Sequence, residues 1–325
     1  LTTTFEEQNP GSTLTIEEQE WEGLVERLTT SLASADETPD VVEVGNTQAP
    51  TFTAVGAFSD ITEELPKLGG DDLLQGFVDA GTADGKTYAV PLYAGSKYVF
   101  YRKDLFAKSG IAVPTTLDEF VAAAVKLKQD NPDPAFSGFY FPGQDWRNGA
   151  AFVWDKGGDL AVEDGGEWKG ALSDAKSVEG LKLAQKLFTE ASGAPKDGNE
   201  ADPQVAFCAN QVGMLSAPGW VRFSIDNAEI GCPAMMANVG VFALPGSSGD
   251  PAPVLLGGSN IAISAKSKHQ ELSKKLVELI ESDELDLRPG FHEQVGVGLG
   301  HERPSCAALG RDYGEPGQGR QAARK

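Results

Sequence analysis

The stretch Asp40-Val41-Val42-Glu43-Val44-Gly45-Asn46-Thr47 decides the fold. Its valines favour an extended backbone, Gly45-Asn46-Thr47 turns the chain, and a helix is expected near Pro50–Val55. Just upstream, Leu24, Val25, Leu28 and Leu32 recur at helical spacing through about Ala35. Ser12-Thr13-Leu14-Thr15-Ile16 before them reads as a short strand. The same alternation runs onward. Lys86–Val90, Tyr98–Tyr101, Ser137–Phe141, Val212–Leu215, Val239–Leu244 and Ile261–Ser264 read as strands. Helices are expected over Phe120–Lys128, opened by the capping box Thr116-Leu117-Asp118-Glu119, and from Trp146 to Trp154. Others fall around Val178–Phe188, Val205–Ala209, after Pro218-Gly219-Trp220, and over Leu272–Ile280. Alternating elements predict an α/β fold with a parallel sheet and helices on its faces.

Two interruptions divide the pattern. Pro91–Lys97 carries a Pro and a Gly between two strands, and Pro245–Pro253 is rich in Gly, Pro and Ser. Both are candidate crossovers between lobes. They predict a discontinuous first lobe, residues 1–93 plus 253–284, and a second lobe, residues 94–252. A length of 325 residues fits two domains at roughly 100–200 residues each.

Composition excludes several functions. With 27 Lys+Arg against 48 Asp+Glu the formal charge is -21. Such a chain neutralises no phosphate backbone and is repelled by an anionic membrane surface. No apolar run approaches the ~20 residues that span a bilayer. The three histidines are His269, His292 and His301, too few and too scattered for a His-based triad or metal centre. The cysteines, Cys208, Cys232 and Cys306, show no zinc spacing, so neither metal nor cofactor is expected. Cys208 and Cys232 either form a bridge, which needs an oxidising compartment, or remain two buried thiols. The bridge is the preferred reading.

After about Leu285 the periodicity ends. Residues 286–325 hold five arginines (Arg288, Arg303, Arg311, Arg320, Arg324), against four (Arg27, Arg102, Arg147, Arg222) in all that precedes them. This segment, 285–325, reads as an aberrant or disordered tail, its composition that of a shifted reading frame. The opening Leu1-Thr2-Thr3-Thr4-Phe5-Glu6-Glu7 shows no signal peptide and reads as a helix already under way, hence an N-terminally truncated start.

Aromatic side chains stand at element ends. Trp21 lies between glutamates, Tyr93 at the first interruption, Trp146 and Trp154 at the two ends of a helix, and Trp220 at a helix start. An aromatic face covers the C–H patch of a sugar, while amides and hydroxyls bond its rim. Asn46, Gln48, Ser96, Asp145 and Asn260 are companions of that kind at strand ends or turns. Trp168, in an acidic glycine-rich loop, reads as structural. Gly257-Gly258-Ser259-Asn260 precedes a strand, which is the wrong order for a phosphate loop, and serves close backbone approach. A glycosidase needs only two carboxylates, and no pair among the 48 acids stands out.

The assembled pattern resembles the extracellular solute-binding proteins, family 1, of bacterial ABC sugar importers, the group related to maltose-binding protein. The matching stretches are Trp21 through Thr47, Gly85–Tyr93, Tyr101–Phe106, Val113–Phe120, Trp154 with Gly157-Gly158, Gly213-Met214 with Pro218-Gly219-Trp220, and Gly240–Gly246 with Gly257–Asn260. The resemblance covers about residues 5–284. It implies a two-lobe periplasmic-binding-protein-like (type II) fold with hinge crossovers. Trp21, Asn46 and Gln48 would line the first lobe, Tyr93 and Ser96 the hinge, Trp146, Trp154 and Trp220 the second lobe, and Gly258 and Asn260 the floor. It further implies a monomer that binds a mono- or oligosaccharide without altering it and delivers it to membrane permease subunits. The expected location is extracellular, with lipoprotein anchoring of the full-length protein. A carbohydrate-active hydrolase and a carbohydrate-binding adhesin are the competing readings.

Overall fold

The computed structural model describes residues 1–21, 23–200 and 202–282, and the backbone of 298 and 299. Apart from Gly298 and Leu299, the expected tail lies outside the described residues. In chain order the elements are α1 Thr2–Gln8, α2 Leu24–Ala33, β1 Val41–Gly45, α3 Ala49–Ala54, α4 Gln75–Ala80, β2 Thr82–Ala83, β3 Lys86–Thr87 and β4 Ala89–Gly95. There follow β5 Lys97–Arg102, α5 Lys103–Ser109, α6 Leu117–Asp130, β6 Ser137–Tyr140, α7 Trp146–Asp155, β7 Ala161–Asp164, β8 Glu167–Gly170 and α8 Ala175–Lys186. The last are α9 Pro203–Cys208, β9 Val212–Pro218, α10 Val221–Asp226, β10 Val239–Phe242, β11 Gly257–Ile263, α11 Gln270–Glu281 and β12 Gly298–Leu299. The chain divides into two compact units. Leu1–Gly95 and the stretch from Gly257 form one, and Ser96–Leu256 forms the other.

In the first unit the strand order is β1-β11-β4-β12, and every pair is antiparallel. β11 arrives from the far end of the sequence and satisfies strands on both its edges. Leu24, Leu28 and Leu32 bury one face of α2 against Val42, Val44 and Phe52. Each such side chain contributes about 1.5–3 kcal/mol on full burial. α11 covers Ile261 and Ile263 with Val277.

The second unit orders its strands β10-β5-β9-β6. β6 and β9 run parallel, and the other two pairs are antiparallel. Its core joins α6 to β6 through rings, with Phe120 edge-on to Phe139 at 5.1 Å. Gly138 permits this approach, because a Cβ there would lie 1.8 Å from the Ala124 carbonyl oxygen. Thr116 caps α6, its hydroxyl accepting the Glu119 N–H, while the Glu119 carboxylate accepts from Thr115. Cys208 and Cys232 form a disulfide that ties α9 to the loop after α10.

Several expectations are corrected. The sheets are not parallel throughout: β6–β9 is the single parallel pair described in either four-stranded sheet, because β11 and β10 return against earlier strands. Ser12–Ile16 is not a strand. It has no neighbour to pair with among the described residues, and the Glu6 carboxylate takes the Leu14 N–H instead. Pro91–Lys97 contains the boundary between the two units, at Gly95 and Ser96, but it does not interrupt the strands, since β4 runs through Pro91 to Gly95 and only Ser96 separates it from β5. Pro91 is tolerated because the register shifts there: Tyr93 faces Ser259 and Pro91 faces Asn260, leaving Leu92 as the extra residue of a bulge. Gly257–Asn260 lies inside β11 rather than before a strand. Pro245–Pro253 is a turn within the second unit, closed by a Pro245–Pro251 bridge and held by the Asp155 carboxylate on Ser247. Trp168 is not structural packing: it stands 74% exposed on the β7–β8 hairpin.

The bridge spans 24 residues, so the chain-entropy model gives about 3 kcal/mol. Replacing both cysteines by alanine is expected to lower the unfolding free energy of the second unit by about that amount. Urea denaturation followed by Trp fluorescence measures it, and an unchanged midpoint would show the bridge to be energetically idle.

Candidate functional site

In each unit, polar and aromatic residues gather at one end of the sheet. In the first unit β1 ends at Gly45, β11 begins at Gly257 and β4 ends at Gly95, and the register Gly45–Ser259–Tyr93 places the three ends side by side. Asn46 and Gln48 follow β1 directly. The Asn46 N–H donates to the Gly258 carbonyl at 3.1 Å. Gln48 folds back, its side-chain oxygen accepting the Gly45 N–H at 3.3 Å. Gly258 adopts φ +151°, and a Cβ on it would lie 2.1 Å from the Tyr93 carbonyl oxygen, so only glycine fits this crossing.

Beside them lies a cluster that sequence reasoning missed. The Ser259 hydroxyl donates to the Glu43 carboxylate at 2.7 Å, and Tyr93 bonds to both. Burial first, then the Glu43 charge, pushes the Tyr93 phenol up to about 12, with the Ser259 bond acting in the opposite direction. The sequence signal was an acid alone in a valine-rich strand. Asn260 is fully buried and its amide donates to the Phe77 carbonyl at 2.8 Å, bracing α4. Trp21 is exposed in the turn before α2. The Lys266 ammonium meets the Ala33 carbonyl beside the starting end of β1, so α2 carries Trp21 toward the opposite end, where Gly45 lies.

In the second unit β6 and β9 end together and β5 starts beside them, Lys97 facing Pro218. Trp220 follows β9, and the turn after β6 leads to Asp145 and Trp146. Both indoles are exposed, Trp146 by 48% and Trp220 by 37%. The Arg147 guanidinium lies 5.0 Å from the Trp146 ring centroid and pairs with Glu200. Asp145 caps α7: its carboxylate accepts the Asn148 N–H at 3.0 Å and the Asn148 amide at 2.5 Å, and that amide also reaches the Ser216 carbonyl. Lys97, also missed from sequence, sits 3.7 Å from Asp145, and both are buried. Burial pulls the Lys97 ammonium down and pushes the Asp145 carboxyl up, and their mutual attraction opposes each shift. The legible signal was a lysine opening an otherwise apolar strand, Lys97-Tyr98-Val99-Phe100. Trp154 is not brought to this end. It is half-buried, eight residues beyond Trp146 and so about 12 Å along the helix. Ser96 is half-buried at the junction of β4 and β5.

Among the described residues no group of His, Cys, Asp and Glu is arranged to hold a metal ion. The arrangement offers stacking faces, amides and paired charges, which suits a neutral polyhydroxylated ligand.

Comparison with known proteins agrees with this geometry. The family model for bacterial extracellular solute-binding proteins matches residues 1–285. The chain is 35% identical over 272 residues to the diacetylchitobiose-binding protein DasA of Streptomyces coelicolor, covering 82% of this chain and 62% of that protein. It is 26% identical to the multiple sugar-binding protein of Streptococcus mutans, covering 84% of this chain and 65% of that one. The chain thus spans about six tenths of the length of these curated relatives. Among solved structures, the GacH receptor of Streptomyces glaucescens superposes with a TM-score of 0.77 at 22% identity, over 96% of this chain and 78% of that one. Maltose-bound MalE3 of T. maritima gives 0.76 at 22% identity, over 96% and 80%. These likenesses establish the α/β, type II periplasmic-binding-protein-like fold.

Tyr93 supplies a test of the first unit's cluster. A phenol whose pKa is raised on folding stabilises the protein fully below its ordinary value near 10, and that contribution is lost as pH climbs toward 12. Ultraviolet titration is expected to show one tyrosine ionising about two pH units late, and Glu43→Gln should bring it earlier. A wild-type titration with every tyrosine near 10 would contradict the cluster.

Proposed function

The chain belongs to the bacterial extracellular solute-binding protein family, and we propose that it is the sugar-capturing component of an ABC importer. The observation that carries this reading is the pair of exposed indoles, Trp146 and Trp220, held at the carboxyl end of the second unit's sheet beside hydrogen-bonding groups. Ligands of open α/β sheets bind beyond that edge. A soluble protein leaves two indoles at one such edge at a cost in exposed apolar area, and a sugar's C–H face covers them. Asn46, Gln48, Tyr93 and Gly258 are the first unit's contribution, with Trp21 beside them.

Capture proceeds by closure of the two units on the saccharide. Binding energy favours the closed state because only there are both sets of contacts made. A micromolar ligand supplies about 8 kcal/mol, enough to drive closure costing a few kcal/mol and still bind. The closed form is what the permease subunits recognise. We read the protein as a monomer that binds rather than converts its sugar, working outside the cytoplasmic membrane and anchored there as a lipoprotein. The relatives' names support binding over catalysis, for they are binding proteins. A disulfide between Cys208 and Cys232 suits an extracellular location.

Thermal-shift screening with N,N′-diacetylchitobiose, maltose and mannitol is expected to raise the melting temperature for at least one, with compaction in X-ray scattering. An unchanged radius of gyration at saturation would sink the closure mechanism, and no shift with any sugar would sink the sugar reading. Trp220→Ala should weaken the binding sugar by about 2- to 12-fold, the loss of one aromatic stacking contact.

A further inference from the structure

The Lys97 side chain is 8% exposed, and its ammonium has no hydrogen-bond partner among the described residues. Asp145 attracts it from 3.7 Å, but both carboxylate oxygens are already engaged by Asn148. A buried ammonium with idle N–H donors is costly, so an acceptor oxygen placed there is strongly favoured. The location is the same strand end that carries Trp146 and Trp220.

Charge narrows the acceptor. The charged groups acting on Lys97 are Asp145 before α7, Arg147 on α7 and Glu200 in the segment before α9. Arg147 is already spent on Glu200. The two cations are already matched by two carboxylates, so the charge of a uronic acid or sugar phosphate gains no net attraction there. The ligand oxygen is therefore neutral, and it must be a good acceptor. A hydroxyl oxygen is a modest acceptor, while the carbonyl oxygen of an acetamido group is a strong one. The four-carbon stem lets the ammonium shift toward such an oxygen without moving β5.

Resting on the sugar-binding reading above, we propose that Lys97 is the specificity-determining donor of this site, selecting saccharides that carry an N-acetyl group by hydrogen-bonding its carbonyl oxygen.

Isothermal titration calorimetry of N,N′-diacetylchitobiose against cellobiose tests this, because the two disaccharides share a backbone and differ in the acetamido groups. Wild-type protein is expected to prefer the acetylated sugar by about 10- to 100-fold, the range of one hydrogen bond from a charged donor. Lys97→Met removes charge and donor together, and Lys97→Gln removes the charge but keeps an N–H donor. Both remove the positive charge facing Asp145, and the melting temperature of each unliganded variant reports any general loosening of α7 separately from the sugar preference. The preference should vanish in Lys97→Met and survive in part in Lys97→Gln. Equal wild-type affinity for the two sugars overturns the proposal without any variant. So does a preference retained by Lys97→Met, or one lost equally from both variants, which would reduce Lys97 to a structural partner of Asp145. Should wild-type protein bind maltose or mannitol but neither of these disaccharides, the proposal fails and the sugar reading stands. Binding of no sugar at all removes the reading itself.

Discussion

The first unit depends on one strand coming back. β11 must run between β1 and β4, and all its inner backbone groups are satisfied only in that slot. Ser259, Asn260, Ile261, Ala262 and Ile263 are buried along it. The polar pair among them is accommodated by specific acceptors, the Glu43 carboxylate for Ser259 and the Phe77 carbonyl for Asn260. Gly258 is the narrowest point, where the backbone of β11 crosses Tyr93 with no room for a side chain. This constraint makes the unit discontinuous in sequence. It also sets where the chain enters and leaves the second unit, because β4 ends and β11 begins at neighbouring positions, Gly95 facing Gly257.

The same geometry builds the candidate site. A strand end exposes backbone groups that no neighbour pairs, and turns starting there project side chains past the sheet edge. Asn46 and Gln48 owe their place to the end of β1, Tyr93 to β4, and Trp220 to β9. Trp146 depends on a longer chain of causes. Asp145 caps α7, Asn148 ties the cap to Ser216 on β9, and Lys97 neutralises the cap from β5. Three elements thereby fix one exposed ring, whereas Trp154, on the same helix, receives no such support.

Much of this was legible in sequence where the period was long and uncontested. α2, α6, α7 and α11 lie close to where apolar spacing and caps put them, and β1 follows its valines. The errors share a cause: strand pairing is decided by partners distant in sequence. Ser12–Ile16 has strand composition and no partner beside it. Pro91 looks like a stop until β11 supplies a register shift that spares its missing N–H. Gly257–Asn260 looks like a loop because glycine is a poor strand former, yet it is glycine's lack of a Cβ that allows the close crossing. Alternation of helix and strand was read as parallel pairing, and chain returns made most pairs antiparallel. At the site, aromatic residues were found by their isolation at element ends. Glu43 and Lys97 were overlooked because a lone charge in a strand is ordinarily a solvated one.

Charge bears on the whole surface and on the site alike. A formal charge of -21 keeps the protein apart from its own copies and from anionic surfaces. At the end of the second unit's sheet, however, the acids are met by cations: Asp145 faces Lys97 and Glu200 faces Arg147. An acidic surface repels anions at long range, and a site of paired charges offers them no compensation at contact. Neither feature penalises a neutral solute, and local dipoles, stacking faces and buried donors act on it at contact. Under the sugar-binding proposal, a preference for an uncharged, oxygen-rich ligand follows from a net acidic surface together with paired charges at the end of that sheet.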